Sequence, residues 1–183
     1  MEWIIAGVII LGAAAFVIGG YNSLVKLRNL VEEAFATMDV YLKKRYDLIP
    51  NLVETVKGYA AHEASTLEKV VQARNMAASA GSTEDRIKGE NMLSGALKSL
   101  FALAEAYPDL KANTNFMDLQ LQLQKVEEDI ANSRKYYNAT VREYNIKTEV
   151  FPYNIIAGMF KFVRKPLYEV SEEAERQNVK VQF

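Results

Sequence analysis

The chain opens on an unbroken apolar run and then turns amphipathic. Trp3 to Tyr21 reads WIIAGVIILGAAAFVIGGY, nineteen residues without a charge. As a helix this run covers roughly 28 Å, close to the hydrocarbon thickness of a bilayer. Trp3 and Tyr21 stand at its two ends, where amphipathic rings favour the headgroup level. From Asn22 onward Leu24, Leu27, Val31, Ala34, Met38 and Tyr41 recur at alternating three- and four-residue steps. That stripe predicts an amphipathic helix continuing out of the apolar run to about Tyr46. Asp47-Leu48-Ile49-Pro50 predicts a turn and restart, with Asp47 as N-cap and Pro50 in the first turn of a second helix. This second helix carries Leu52, Val53, Val56, Tyr59, Ala60, Leu67, Val70 and Ala77 on one side and ends near Gly81. Ser82 followed by Asp85 predicts a capping box that opens a third helix. Its apolar face is Ile87, Leu93, Leu97, Leu100, Ala104 and Tyr107, and Pro108 stops it. Phe116, Leu119, Leu123, Val126, Ile130, Ser133, Tyr137, Thr140 and Tyr144 hold a heptad register along a fourth helix.

The predicted fold class is therefore all-α: an N-terminal transmembrane helix continuing into an antiparallel up-and-down four-helix bundle, with a short C-terminal amphipathic helix. Four consecutive stripes can cover one another, which favours a bundle. An intermolecular coiled coil is the alternative reading of the heptads. The expected organisation is an anchor over 1–21, a helical bundle over 22–148, and a membrane-proximal amphipathic segment with an acidic tail over 149–183.

Composition removes several function classes. Lys+Arg 22 against Asp+Glu 23 gives a formal net charge of -1, without the basic excess that nucleic acid requires. The absence of cysteine excludes disulfides, thiolate metal sites and a cysteine nucleophile. His62-Glu63 begins like a zincin motif, but the string is HEAST, and His62 is the single histidine. Tyr59 stands where a Glu-x-x-His di-iron motif would need its glutamate. No glycine-rich phosphate loop or nucleophile elbow occurs. Neither an enzyme nor a bound cofactor or metal is expected.

The flanks of the apolar run predict its orientation. Glu2 lies on the short side, and Lys26 and Arg28, then Lys43, Lys44 and Arg45, on the long side. The positive-inside rule places the large domain in the cytoplasm and the N-terminus outside the cell membrane. A cleaved signal peptide is the competing reading, but the basic n-region it needs is missing. Gly7, Gly12, Ala15 and Gly19 supply small residues, with Ala15 and Gly19 as a small-xxx-small pair that permits close helix approach in lipid.

Three polar side chains on or beside apolar stripes, His62, Glu63 and Arg74, are candidates for burial. Glu63 would then take Arg74, Arg134 or Lys135 as partner and fix helix register. Tyr-Asn pairs recur at 21/22, 137/138, 144/145 and 153/154 and are expected to hydrogen-bond within or between helices. Beyond the break at Phe151-Pro152, Ile155, Ile156, Met159, Phe160, Phe162 and Val163 stand beside Lys161, Arg164 and Lys165. Large apolar residues beside cations suit a helix lying in a headgroup layer; a short cap closing the bundle is the alternative. Four helices of alternating direction bring residue 148 back toward the bilayer, so Phe160 and Phe162 are expected to contact lipid or a neighbouring subunit. The stretch from Glu169 to Phe183 reads as an acidic tail that is either mobile or docked on a neighbour.

The strings YNSLVKLRNLVEEAFATMDVYLKKRYDLIPNLVETVKGYAAHE (21–63), AEAYPDLKANTNFMDLQ (104–120), YYNATVREYN (136–145) and FPYNIIA (151–157) resemble the LemA family. Phe35 stands where that family often has Trp. The resemblance implies an N-terminal anchor, an outside N-terminus and a helical bundle, and it brings no reaction. Some members of that family are associated with bacterial membrane biogenesis, magnetosome membranes included, and their genes often neighbour one for a membrane zinc metalloprotease.

Two functions fit these expectations. One is a membrane-anchored scaffold that self-associates and organises or remodels the membrane, with lipid and further copies of itself as partners. The other is an adaptor or regulator of a second membrane protein.

Overall fold

A computed structural model describes residues 1–169, which leaves most of the acidic tail outside the described residues. The chain is all-α: no strand occurs among the described residues. Among the described residues six helices follow in order: α1 (Glu2–Lys57), α2 (Ala64–Ala78), α3 (Thr83–Ala104), α4 (Pro108–Lys111), α5 (Thr114–Glu149) and α6 (Tyr153–Met159).

The expected break at Asp47 to Pro50 is not there. α1 runs unbroken for 56 residues with Pro50 inside it, and the first helix break falls between Lys57 and Ala64. Two seven-residue lines explain the continuity. Val31, Met38, Arg45 and Leu52 form one, and Leu42, Ile49 and Val56 another, and all seven are buried. Both pass through position 50 without a change of phase, so tertiary burial outweighs the roughly 3 kcal/mol that an interior proline costs. Pro50 itself is exposed. Lacking an N–H, it leaves the Tyr46 carbonyl without its helical donor. Arg74 of α2 partly supplies the loss, its Nε donating to Tyr46 O at 3.4 Å.

Elsewhere local chemistry sets the helix ends. Ser82 has extended backbone, and its Oγ accepts from Asp85 N at 3.1 Å while donating to Asp85 Oδ2 at 2.7 Å. Asn113 caps α5 in the same way, its Oδ1 accepting from Phe116 N at 3.0 Å. The heptad line of α5 is buried at Phe116, Leu123, Ile130, Tyr137 and Tyr144.

The chain divides into two compact units, and the long helices α1 and α5 contribute to each. The first comprises 1–41 and 128–167. In it Phe35 of α1 meets the Tyr137 ring of α5 edge-on at 5.6 Å, and a small core forms from Leu24, Ile156 and Ala157 with Tyr153 and Phe162 packed against it. The second comprises 42–127 and, of the described residues beyond 167, Tyr168 and Glu169. There α2 and α3 approach closely at Gly89, where an added Cβ would lie 2.7 Å from the Ala77 Cα.

Candidate functional site at the exit of the apolar helix

The described residues contain one helix long and apolar enough to cross a membrane, and hardly any of that window is buried. Trp3, Gly12, Ala15 and Gly19 lie exposed along it. An added Cβ at Gly12 or Gly19 would meet nothing within 4 Å, so the small-residue face is unfilled within one chain.

Where this segment ends, α6 returns to it. The two helices pass closely at Gly20, where an added Cβ would meet Ile156 Cδ1 and lie 3.5 Å from the Tyr153 ring. Ile156 and Ala157 are buried against Leu24. Aromatic side chains surround the junction. Phe16 faces Tyr153 at 5.9 Å, and Tyr21 faces Phe160 at 4.7 Å and Phe162 at 5.7 Å. Two cations sit over this cluster. Arg28 lies 5.5 Å from the Phe162 ring centre and Lys147 Nζ 3.7 Å from that of Tyr153, within the range of cation–π attraction.

α6 has a buried face and an exposed one. Ile156 and Ala157 close the unit's end, while Ile155 and Met159 point outward, 55% and 65% exposed. Of the cations singled out from sequence, Lys161 is exposed. Arg164 meets Glu149 at 2.9 Å and Lys165 meets Glu32 at 4.0 Å, both too exposed to contribute much to stability.

α6 ends in a Schellman motif. Phe162 N donates to Ala157 O at 2.9 Å and Lys161 N to Gly158 O at 3.4 Å, and Lys161 takes the left-handed position at φ 56°. Glycine is the usual occupant there, and a side chain costs about 1–2 kcal/mol. Beyond it an extended strap lies along α5. Tyr144 Oη donates to Val163 O at 3.0 Å, and Tyr137 Oη donates to Pro166 O at 2.9 Å. Asn145 pairs with both backbone groups of Lys165, each at 2.9 Å. The Tyr-Asn pair at 144/145 therefore reads a backbone rather than another helix, and nothing in residues 163–167 announces this in advance. Burial pushes the Tyr144 phenol above its usual value, with Arg28 opposing and Glu32 adding.

The expected buried polar residues require correction. His62 is exposed, and Glu63 and Arg74 are only half-buried. Both lie near helix ends or shallow on the stripe, where water reaches them. Glu63 accepts from Tyr107 Oη at 3.4 Å, while Arg74 turns to Tyr46 O and to Asn75 Oδ1. The buried pair is Arg45 with Glu90, at 1% and 0% side-chain exposure. Arg45 spans from α1 to both α3 and α5: one terminal nitrogen reaches Glu90, the other Ser94 Oγ at 3.1 Å and Glu127 Oε1 at 2.7 Å. Tyr46 Oη donates to the second oxygen of Glu90. The sequence does carry a signal for this pair, since Arg45 falls on the 31-38-45-52 line and Glu90 in phase between Ile87 and Leu93.

Comparison with known proteins gives one consistent result. The model of the LemA family matches residues 34–183. Protein LemA of Metamycoplasma hominis is 24% identical over 159 residues, covering 85% of this chain and 71% of that protein. Magnetosome protein MamQ 2 of Paramagnetospirillum magneticum is 25% identical over 175 residues, covering 81% and 64%. Magnetosome protein MamQ of Magnetospirillum gryphiswaldense is 24% identical over 170 residues, covering 79% and 62%. The chain thus spans a little under two thirds of each magnetosome protein.

Proposed function

The chain belongs to the LemA family, and we propose that it is a non-enzymatic, membrane-anchored helical scaffold that self-associates and organises or remodels the bilayer. The observation that carries this reading is the pairing of an unburied apolar helix with an aromatic, cationic collar where that helix ends. Leaving such a segment in water exposes large apolar area, at about 25 cal/mol per Å²; a bilayer removes that cost. In this reading α1, α2, α3 and α5 form an antiparallel up-and-down bundle on the cytoplasmic side. Support comes from the close contact of α2 with α3 and from Arg45, which ties α1 to α3 and α5. Membrane lipid and further copies of the chain are its partners. That two of the relatives are magnetosome proteins supports membrane organisation over the second reading, an adaptor or regulator of another membrane protein.

Self-association is tested in the anchor. Ala15→Ile and Gly19→Ile fill the small-residue face and prevent close helix approach. In mild detergent the wild-type protein is expected as particles of many copies, each chain 20.6 kDa, and the double variant as markedly smaller ones. A monomeric wild type supports the adaptor reading instead. Equal particle size in the two proteins removes the anchor as the assembly contact.

A further inference from the structure

Between α5 and α6 the chain turns through Val150, Phe151 and Pro152. Phe151 stands at the tip of this turn, 79% exposed, with Val150 beside it also exposed. Among the described residues, no other large apolar side chain beyond the membrane-length segment is so bare. An isolated exposed Phe needs no explanation, but the level of this one does. Tyr153, two residues on, is held against the Phe16 ring at 5.9 Å. Phe16 lies five residues before Tyr21, inside the uncharged run, about 7.5 Å further into it along the helix. Any layer that covers Phe16 with hydrocarbon reaches the turn as well. Ile155 and Met159 continue the exposed apolar surface toward Phe160 and Tyr21.

We propose that the α5–α6 turn, with Phe151 at its tip and Ile155 beside it, is a wedge that inserts into the bilayer leaflet on the domain's side of the anchor. The occupant of this surface is lipid, because the surface is continuous with the helix that crosses the bilayer. Charge sets the depth. Lys147 stands over the Tyr153 ring, and Lys161 is exposed just past the far end of α6. Their ammonium groups belong among anionic headgroups while the rings lie below. Asn154 is exposed and the Glu149–Arg164 pair is half-exposed beside the turn, which holds insertion to the headgroup–acyl boundary. The backbone suits that layer. Pro152 brings no N–H, and the N–H groups of Val150, Asn154 and Ile155 donate to Ile146, Val150 and Pro152 carbonyls. A wedge in one leaflet expands that leaflet alone, which gives the proposed remodelling a physical means. The inference rests on the anchor's crossing a bilayer and not on self-association.

The full-length protein, which has no cysteine, is made with Phe151→Cys, Gly12→Cys or Met76→Cys and labelled with an environment-sensitive fluorophore. Each is reconstituted in vesicles of zwitterionic lipid with and without an anionic component. At 151 the expected result is blue-shifted emission, strong quenching by nitroxides near the headgroup end of the acyl chain, and weak quenching by iodide. Position 76 should behave oppositely. Anionic lipid should deepen the response at 151, and Lys147→Gln should remove that gain. Iodide-accessible 151 with lipid-quenched 12 overturns the wedge and leaves the anchor standing. Aqueous behaviour at both sites overturns the two together. Protection of 151 from both quenchers also overturns it, and assigns the surface to a second copy of the chain.

Discussion

Replacing Glu90 by alanine is expected to destabilise the helical domain by about 3–5 kcal/mol. The guanidinium of Arg45 and the carboxylate of Glu90 are both fully enclosed. Removing the carboxylate leaves a buried cation with one strong partner, Glu127, which is itself 42% exposed. Tyr46 Oη loses its acceptor as well. Arg45 Nε already lacks a partner, so the site has no spare acceptor to absorb the loss. Replacing both members with apolar residues of similar size, Arg45→Met with Glu90→Leu, is expected to recover most of the stability. The desolvation cost of the ions disappears along with their attraction. Chemical unfolding followed by circular dichroism in detergent measures both. A Glu90→Ala loss under about 1 kcal/mol, the range of an exposed pair, would show that Arg45 is reached by water.

A second large effect is expected at Gly89. A Cβ there would lie 2.7 Å from Cα and 2.9 Å from N of Ala77. Those are backbone atoms of α2, so the whole helix has to move. Gly89→Val is expected to cost about 1–3 kcal/mol or more through overpacking. At Gly95, in the same helix, an added Cβ would meet nothing within 4 Å. Gly95→Ala should therefore stabilise by roughly 0.4–1 kcal/mol, since only the unfolded chain loses freedom. Opposite signs at the two glycines identify the α2–α3 crossing as the cause; equal signs would refute it.

These two sites also mark where sequence is legible and where it is not. The apolar run, the capping box at Ser82 and the heptad line of α5 are each visible because the governing interaction is local or strictly periodic. Gly89 and Gly95 look alike in sequence, since what separates them is a neighbouring helix. Pro50 misleads for a related reason. A proline's cost is a local property, whereas the continuity of α1 is set by buried residues on both sides and by Arg74 at the Tyr46 carbonyl. Arg45 and Glu90 escape notice when charges are assigned to the solvated face. Their in-phase positions on two apolar stripes carry the signal, while Glu63 and Arg74 lie on the shallower edge. At the anchor's exit the composition of Ile155 to Lys165 is readable as apolar and basic. Its division into an inward face on Leu24 and an outward face at Ile155 and Met159 depends on which side of α6 meets α1. In sequence Phe151 reads only as part of a helix break.

Scaffold, collar and wedge all depend on the apolar helix crossing the cell membrane, and we propose that it does so with the helical domain in the cytoplasm. In this cysteine-free chain, single cysteines at Glu2 and at the exposed Met76 of α2 report the two sides. With a membrane-impermeant thiol reagent applied to intact cells, Glu2→Cys should label at once and Met76→Cys only after lysis. Labelling of Met76→Cys in intact cells, or protection of Glu2→Cys, would contradict the account.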